Sequence, residues 1–439
     1  MTTHQIKRSN AVNNDFSFAT SRRFAPLFAT QFFGAFNDNL YKTALFVLIS
    51  FYGLGDGLWL SAPMMLNVGA LLFVLPYFLF STLAGQLATR YNKARLAQMT
   101  KVLEVAIMAL AGLGFALSSV SLLMLCLFIM GTQSALFGPV KYAILPEYLS
   151  SKQLLMGNGL IESGTFLAIL FGQIAGTAIA NTGATVITAT VVSIAVLGLC
   201  SSLAMPAVPA QNPHAPVRLN GWRDTRQLWQ QTRAQRDLWT AIIGISWFWL
   251  LGAVYTTQLP TFVQLHLGGN ASVFNLMLTL FSVGIATGSV LCGKVSKGSL
   301  HLIWVVAGAI GLTVFGGWLV YLTHDLRFDA NQLQGLAQFL SQGYAYPVML
   351  ALLGVGFFGG FFSVPLYTWL QTAASDEFRA HAIAANNIVN AVFMVAAALL
   401  SSVLLAAFNS ITLLYLLVAI GNVVLLIYLT WRSPLIWKW

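Results

Sequence analysis

About twelve stretches of some 20 or more predominantly apolar residues recur along this chain. A segment of that length is what an α-helix needs to cross a hydrocarbon core roughly 30 Å thick. They fall near residues 24–53, 62–88, 97–118, 121–142, 154–181 and 184–205, then 238–266, 273–293, 302–323, 348–371, 380–408 and 411–431. Composition leaves little room for a soluble alternative. Of all residues 58% are hydrophobic and 8% charged, against roughly 25% charged in soluble domains. The expected fold class is all-α integral membrane, with about twelve transmembrane helices. Residues 1–23 are polar, and the apolar stretch after them contains Asp38 and Lys42, which the core of a cleavable signal peptide would not. The first helix is expected to stay in the protein.

The formal charge of +10 could point to nucleic acid, but its distribution points elsewhere. Of the 22 Lys and Arg residues, all but Lys42 and Arg327 fall on one side of the predicted spans or at the helix ends on that side. That asymmetry is the positive-inside pattern. It excludes a nucleic-acid partner and predicts that both termini are cytoplasmic. Cys126, Cys200 and Cys292 sit singly in apolar segments without metal-ligand spacing, so they read as small packing residues. No glycine loop of the nucleotide-binding kind is present, and no cofactor is expected.

The longest polar stretch, 206–237, holds four prolines and five arginines. It predicts a cytoplasmic linker between an N-terminal six-helix half (24–205) and a C-terminal half (238–431), with tails at 1–23 and 432–439. Arg90 and Lys93 follow the second helix, and Lys294 and Lys297 follow the eighth at the same spacing. Two six-helix halves, each with a basic loop after its second helix, resemble the plan of the major facilitator superfamily. The segment GQLATRYNKAR (85–95) is similar to that superfamily's signature between helices 2 and 3, departing at Thr89 and Asn92. The resemblance implies a gating role for Arg90 and Lys93.

Charges within a span cost on the order of 2.5–3.5 kcal/mol each, so those retained need a reason. Counted from Phe24, Asp38 lies roughly 21 Å along the first helix, near the bilayer midplane, with Lys42 one turn further on the same face. The pair is expected to meet at i, i+4, flanked by Asn37 and Asn39. It serves either as a self-neutralising structural pair or as a polar point in a translocation cavity, where transporter sites lie. Lys141 is placed at the end of the fourth helix, either snorkelling or facing the cavity, and Glu162 about two turns into the fifth. Glu104 with Lys101 reads as a structural pair near a helix end. In the second half, Asn386 and Asn390 share one face and could bind substrate or a neighbouring helix. Trp247, Phe248, Trp249 and Phe393 are expected to line that half. One wall charged and the other amide-lined or apolar suits a ligand with a charged head and a hydrocarbon tail. Gly172 and Gly176 form a small-xxx-small packing pair. HDLRFD (324–329) fits the H-x-x-x-x-D spacing of glycerolipid acyltransferases, but it falls in a loop, with no downstream phosphate-holding segment.

Several blocks carry a closer resemblance. QFFGAFNDN (31–39), FGPVKYAILP (137–146) and GNGLIESGTF (157–166) are similar to the bacterial lysophospholipid transporter family of the major facilitator superfamily, as are GIATG (284–288) and AANN (384–387). Thr372 and Ala373 stand where relatives tend to carry charge. The resemblance implies inward flipping of lysophospholipids, chiefly the ethanolamine form, across the bacterial inner membrane, amid membrane lipids. It further implies headgroup handling by Asp38 and Glu162. An acyltransferase and acyl-carrier-protein synthetase would reacylate the product; no such domain lies in these residues, so that enzyme is expected as a separate partner. The competing readings are a proton-coupled efflux carrier of lipophilic small molecules on the same fold, a membrane acyltransferase, and a non-transporting scaffold for the reacylating enzyme.

Overall fold

The computed structural model describes residues 16–58, 60–218, 221–329 and 332–437. The expectations for most of the N-terminal tail, including Lys7 and Arg8, and for the last two residues lie outside them. Among the described residues the regular structure is helical: α1 (Ala25–Phe51), α2 (Ala62–Arg90), α3 (Lys93–Ala116), α4 (Val120–Tyr148), α5 (Ser151–Ile179) and α6 (Ala184–Leu203). Then come α7 (Gly221–Ala234), α8 (Arg236–Leu267), α9 (Ala271–Val295), α10 (Ile303–Thr323), the short α11 (Leu336–Leu340), α12 (Ala345–Ala373), α13 (Arg379–Phe408) and α14 (Ile411–Arg432). Among the described residues, eleven helices are long and apolar enough to cross a membrane. The twelfth long helix is α1, whose middle is interrupted by Asn37, Asp38, Asn39 and Lys42.

Several helices run further than the apolar pattern indicates, because capping extends them. Asn92 accepts from the amides of Ala94 and Arg95 at 2.9 and 3.3 Å, starting α3 at Lys93 rather than 97. A capping box of Ser150 and Gln153 starts α5, the reciprocal arrangement that satisfies two orphan amides. The fourth helix continues through Pro139 and Pro146 to Tyr148. The polar linker over 206–237 contains the 14-residue α7, which the sequence reading did not assign.

The two groups of six repeat one packing scheme. α1 packs on α5 as α8 does on α13; α2 on α4 as α9 on α12; α3 on α6 as α10 on α14. Gly172 and Gly176 bring α5 against α1, and a Cβ at Gly176 would stand 2.6 Å from the carbonyl oxygen of Leu40. Large apolar side chains such as Leu113, Ile310, Leu399 and Ile427 are each more than half-exposed. A surface of this kind is expected of a protein solvated by lipid.

The halves are tied together at the end nearest the linker. Asn158 Nδ2 donates to Thr368 Oγ1 (3.0 Å) and Gln371 Oε1 (2.6 Å). Gln371 Nε2 donates to the carbonyl of Tyr142 (3.0 Å) and to Asn158 Oδ1 (3.2 Å). Thr89 Oγ1 meets His381 Nδ1 at 3.2 Å, and a Cβ at Gly159 would strike the carbonyl of Ser289. These contacts floor a chamber that lies between the halves.

Candidate functional site

On α1 the residues Gln31, Ala35, Asp38 and Lys42 follow one another at four, three and four positions. That spacing places them on a single helix face. The face lines a cavity of about 260 Å³ together with Tyr77 of α2, Lys101 of α3, Gln133, Ser134 and Lys141 of α4, and Thr165 of α5. The second half closes it with Trp249 of α8, Tyr367 of α12, and Asn387, Asn390 and Met394 of α13. All charged lining residues, Asp38, Lys42, Lys101 and Lys141, come from the first half. The second half contributes amides, aromatics and apolar groups. The expected asymmetry of the walls is present.

Its details differ from the sequence reading. Asp38 and Lys42 both face the chamber but form no ion pair. Ser134 Oγ donates to Asp38 Oδ2 at 2.7 Å, and Asp38 Oδ1 has no hydrogen-bond partner. Lys42 Nζ lies 5.0 Å from the centroid of the Phe73 ring, a cation–π distance. The reason is the proximity of α2 and α4, which offer each side chain a partner of its own.

Asn37 is turned away from the chamber. It is fully buried and donates through Nδ2 to Glu104 Oε1 at 3.1 Å, whereas Asn39 lines the cavity. Lys141 does not end its helix. Since α4 continues to Tyr148, Lys141 sits about 10 Å inside it, lining the chamber with its ammonium 4.5 Å from the Tyr142 ring centroid. Glu162 is fully buried and does not line the cavity; neither carboxylate oxygen has a hydrogen-bond partner. The charge it interacts with is Lys141.

On α13 the chamber face is Asn387, Asn390, Ala391 and Met394 rather than the face carrying Asn386. Asn386 is buried, without a hydrogen bond of ordinary geometry. Asn390 Oδ1 accepts from Ser246 at 2.7 Å. Of the four large side chains expected in this wall, Trp249 alone lines the cavity. Its Nε1 donates to the hydroxyl of Tyr367 at 2.8 Å, and Tyr367 stacks on Tyr142 at 4.5 Å between centroids. Trp247 instead donates to Asn422 at 2.7 Å, and Phe248 is packed in the core.

Arg90 and Lys93 are remote from the chamber and do not bridge the halves. Lys93 pairs with Glu147 at 2.7 Å, and Arg90 donates to the carbonyl of Ala215 at 3.4 Å. Both join parts of the first half or hold the linker to it.

The largest departure is the pair Lys101–Glu104. It is fully buried, with Nζ to Oε2 at 2.6 Å. Gln133 Nε2 donates to the same oxygen at 3.4 Å, and Lys101 lines the chamber. A buried ion pair needs such additional hydrogen bonds to offset its desolvation. With α3 starting at Lys93, the pair lies about 12 and 16 Å along the helix, not near its end. Gln31, Gln133, Ser134 and Tyr367 also went unrecognised. The four-three-four spacing on α1 could have revealed Gln31; the others depend on which helices are neighbours.

His324 is half-exposed at the end of α10, 2.9 Å from Asp325, and is not part of the chamber. No cluster of three or more metal-ligating side chains occurs among the described residues.

Residues 27–328 match the Major Facilitator Superfamily model. The lysophospholipid transporter LplT of Klebsiella pneumoniae is 30% identical over 380 residues, covering 84% of this chain and 85% of that protein. The chain belongs to the lysophospholipid transporter family of this superfamily. The LplT protein of Cronobacter sakazakii is 29% identical over 395 residues, with 84% and 85% coverage. Among solved structures, FucP in the outward conformation superposes with a TM-score of 0.68 at 14% identity, covering 93% of the transporter and 98% of FucP. The human organic anion transporter MFSD10 gives 0.69 at 14% identity, with 92% and 99% coverage. At such identities the superpositions speak for the fold. The transporter is thus a multi-pass membrane protein of a transport family and not an enzyme.

Proposed function

We propose that the chain flips lysophospholipids, chiefly lysophosphatidylethanolamine, from the outer to the inner leaflet of the bacterial inner membrane by alternating access. The observation that carries this reading is the division of the chamber into a charged first-half wall and an uncharged second-half wall. A zwitterionic headgroup needs both signs of charge. Asp38, with one oxygen left over from its bond to Ser134, suits an ammonium; Lys42, Lys101 and Lys141 suit a phosphate.

The tail has different needs. Passing sixteen carbons through water would cost roughly 12 kcal/mol at about 0.8 kcal/mol per CH₂, so the tail keeps to an apolar path while the headgroup uses the polar one. The names of the similar LplT proteins support the same substrate class. In this reading Glu162 and Asn386, sealed beneath the chamber, come into play when the linker end opens. Arg90 and Lys93 act on gating by anchoring the linker.

The basic loops support cytoplasmic termini and a cytoplasmic linker. Cysteine labelling from the periplasm is expected to reach a probe at His324 and not one at His214; the reverse would overturn the topology. Reacylation would fall to a separate acyltransferase and acyl-carrier-protein synthetase. The deciding experiment is uptake of labelled lysophosphatidylethanolamine by vesicles containing this protein alone, with and without ion gradients. No flux above protein-free vesicles would reject flipping, and flux strictly tied to a proton gradient would favour the efflux-carrier alternative.

A further inference from the structure

The linker helix α7 has a face for which the transport cycle offers no use. Its inner side is committed. Asp224, Leu228 and Thr232 are buried, Thr225 Oγ1 meets Thr82 Oγ1 of α2 at 2.8 Å, and Gln86 Nε2 donates to Asp224 Oδ2 at 3.5 Å. The helix packs on α2, α13 and α8, so it lies across the seam between the halves. Its outer side carries Arg223, Arg226 and Arg233, all exposed, beside Trp222 at 74% exposure. At 3.6 residues per turn the three arginines fall within a sector of about 80° and span about 15 Å along the axis. None of them takes part in an ion pair among the described residues, and the helix's one acid, Asp224, points the opposite way.

The position of this face matters as much as its charge. α2 has 29 residues and is about 43 Å long, longer than a hydrocarbon core of roughly 30 Å, so its ends reach the headgroup layers. α7 is bonded to α2 at Thr82 and Gln86, one to two turns before the helix ends at Arg90. The helix therefore rides the flank of the bundle at headgroup depth rather than hanging below it in water. An arginine-rich face with a neighbouring tryptophan at that level has the composition of an interfacial helix.

We propose that the outer face of α7 binds anionic phospholipid headgroups of the leaflet on the linker side, with the arginines on phosphates and Trp222 at the interface. Through the inner face this contact is continuous with the α2–α13 seam, so the bound lipid braces the closed linker end. The inference stands whatever substrate the chamber carries. An acidic protein partner would also suit the charge, but it would be indifferent to lipid composition.

The test uses the full chain in detergent, titrated with phosphatidylglycerol or phosphatidylethanolamine, with retained lipid read by native mass spectrometry. At about 1 kcal/mol per arginine near a charged surface, phosphatidylglycerol should bind tighter by on the order of 100-fold at low ionic strength. The preference should shrink as salt is added. R223Q/R226Q/R233Q should abolish the preference, and each single substitution should reduce it about 5-fold, which keeps the test open if the triple variant is not produced. The triple Arg→Lys variant should retain most of it. R95Q, at another exposed arginine of the linker end, should leave it unchanged. Equal affinity for the two lipids in the unaltered protein would overturn the proposal. So would a preference that survives in the glutamine variants, because the anion would then be bound elsewhere, the chamber lysines included.

Discussion

Replacing Gln371 by leucine is expected to open the linker end. The Gln371 amide makes three of the buried bonds that join the halves, to Asn158 at 2.6 and 3.2 Å and to the Tyr142 carbonyl at 3.0 Å. Each is worth about 1 kcal/mol net, since water would otherwise satisfy the same groups. In the open arrangement water does satisfy them, so the loss falls on the closed state alone. About 3 kcal/mol corresponds to a shift of roughly 100-fold in the ratio of closed to open molecules. A reporter is already present. Cys292 on α9 is fully buried and packs against Leu155 of the opposite half, with Phe361 and Val364. Its thiol becomes reachable only when α5 and α9 separate. With Cys126 and Cys200 replaced by serine, the rate of maleimide labelling at Cys292 should follow the open population and rise by up to about 100-fold in Gln371→Leu. An unchanged rate in a normally produced, monodisperse variant would refute the assignment of this cluster as the lock.

Asp38→Ala should abolish lysophosphatidylethanolamine flux while expression is retained, because the cavity can absorb a lost carboxylate better than a packed seam can; normal flux at normal protein level would rule out its headgroup role. Glu104→Gln leaves the Lys101 ammonium buried without its counter-charge, a loss of about 3–5 kcal/mol, and should lower the yield of folded protein in size-exclusion profiles. Combining Lys101→Met with Glu104→Leu should restore the yield but not transport. Trp249→Ala widens the second-half wall, so diacyl phosphatidylethanolamine should become a substrate without loss of the lysolipid. An unaltered protein that moves both lipids equally would contradict selection by width.

The two-half architecture was legible because span length and charge asymmetry are read one segment at a time. Placing side chains in the chamber needed a further fact, namely which helix lies beside which. Neighbouring positions on a helix differ by about 100°, so Asn37 and Asn39, or Asn386 and Asn387, look alike in sequence and face different surroundings. For Lys101 and Glu104 the error lay in the helix start. The cap at Asn92 adds a turn before residue 97, moving the pair from the rim into the body of the bundle. The linker helix escaped notice because its pattern is polar on all but one narrow side.

The polar stripe on α1 also bears on how the protein is made. With Asp38 and Lys42 each costing on the order of 2.5–3.5 kcal/mol at mid-membrane, α1 is a poor segment to hold in lipid alone. Its polar groups are relieved by side chains of α3 and α4, Glu104 on Asn37 and Ser134 on Asp38. Its backbone is clasped only once Gly172 and Gly176 of α5 arrive. Although α1 precedes α3, α4 and α5 in the chain, it is therefore expected to settle only after they arrive. A ribosome-bound chain truncated before α5 should leave α1 extractable from the membrane by alkali, and extension past residue 180 should secure it.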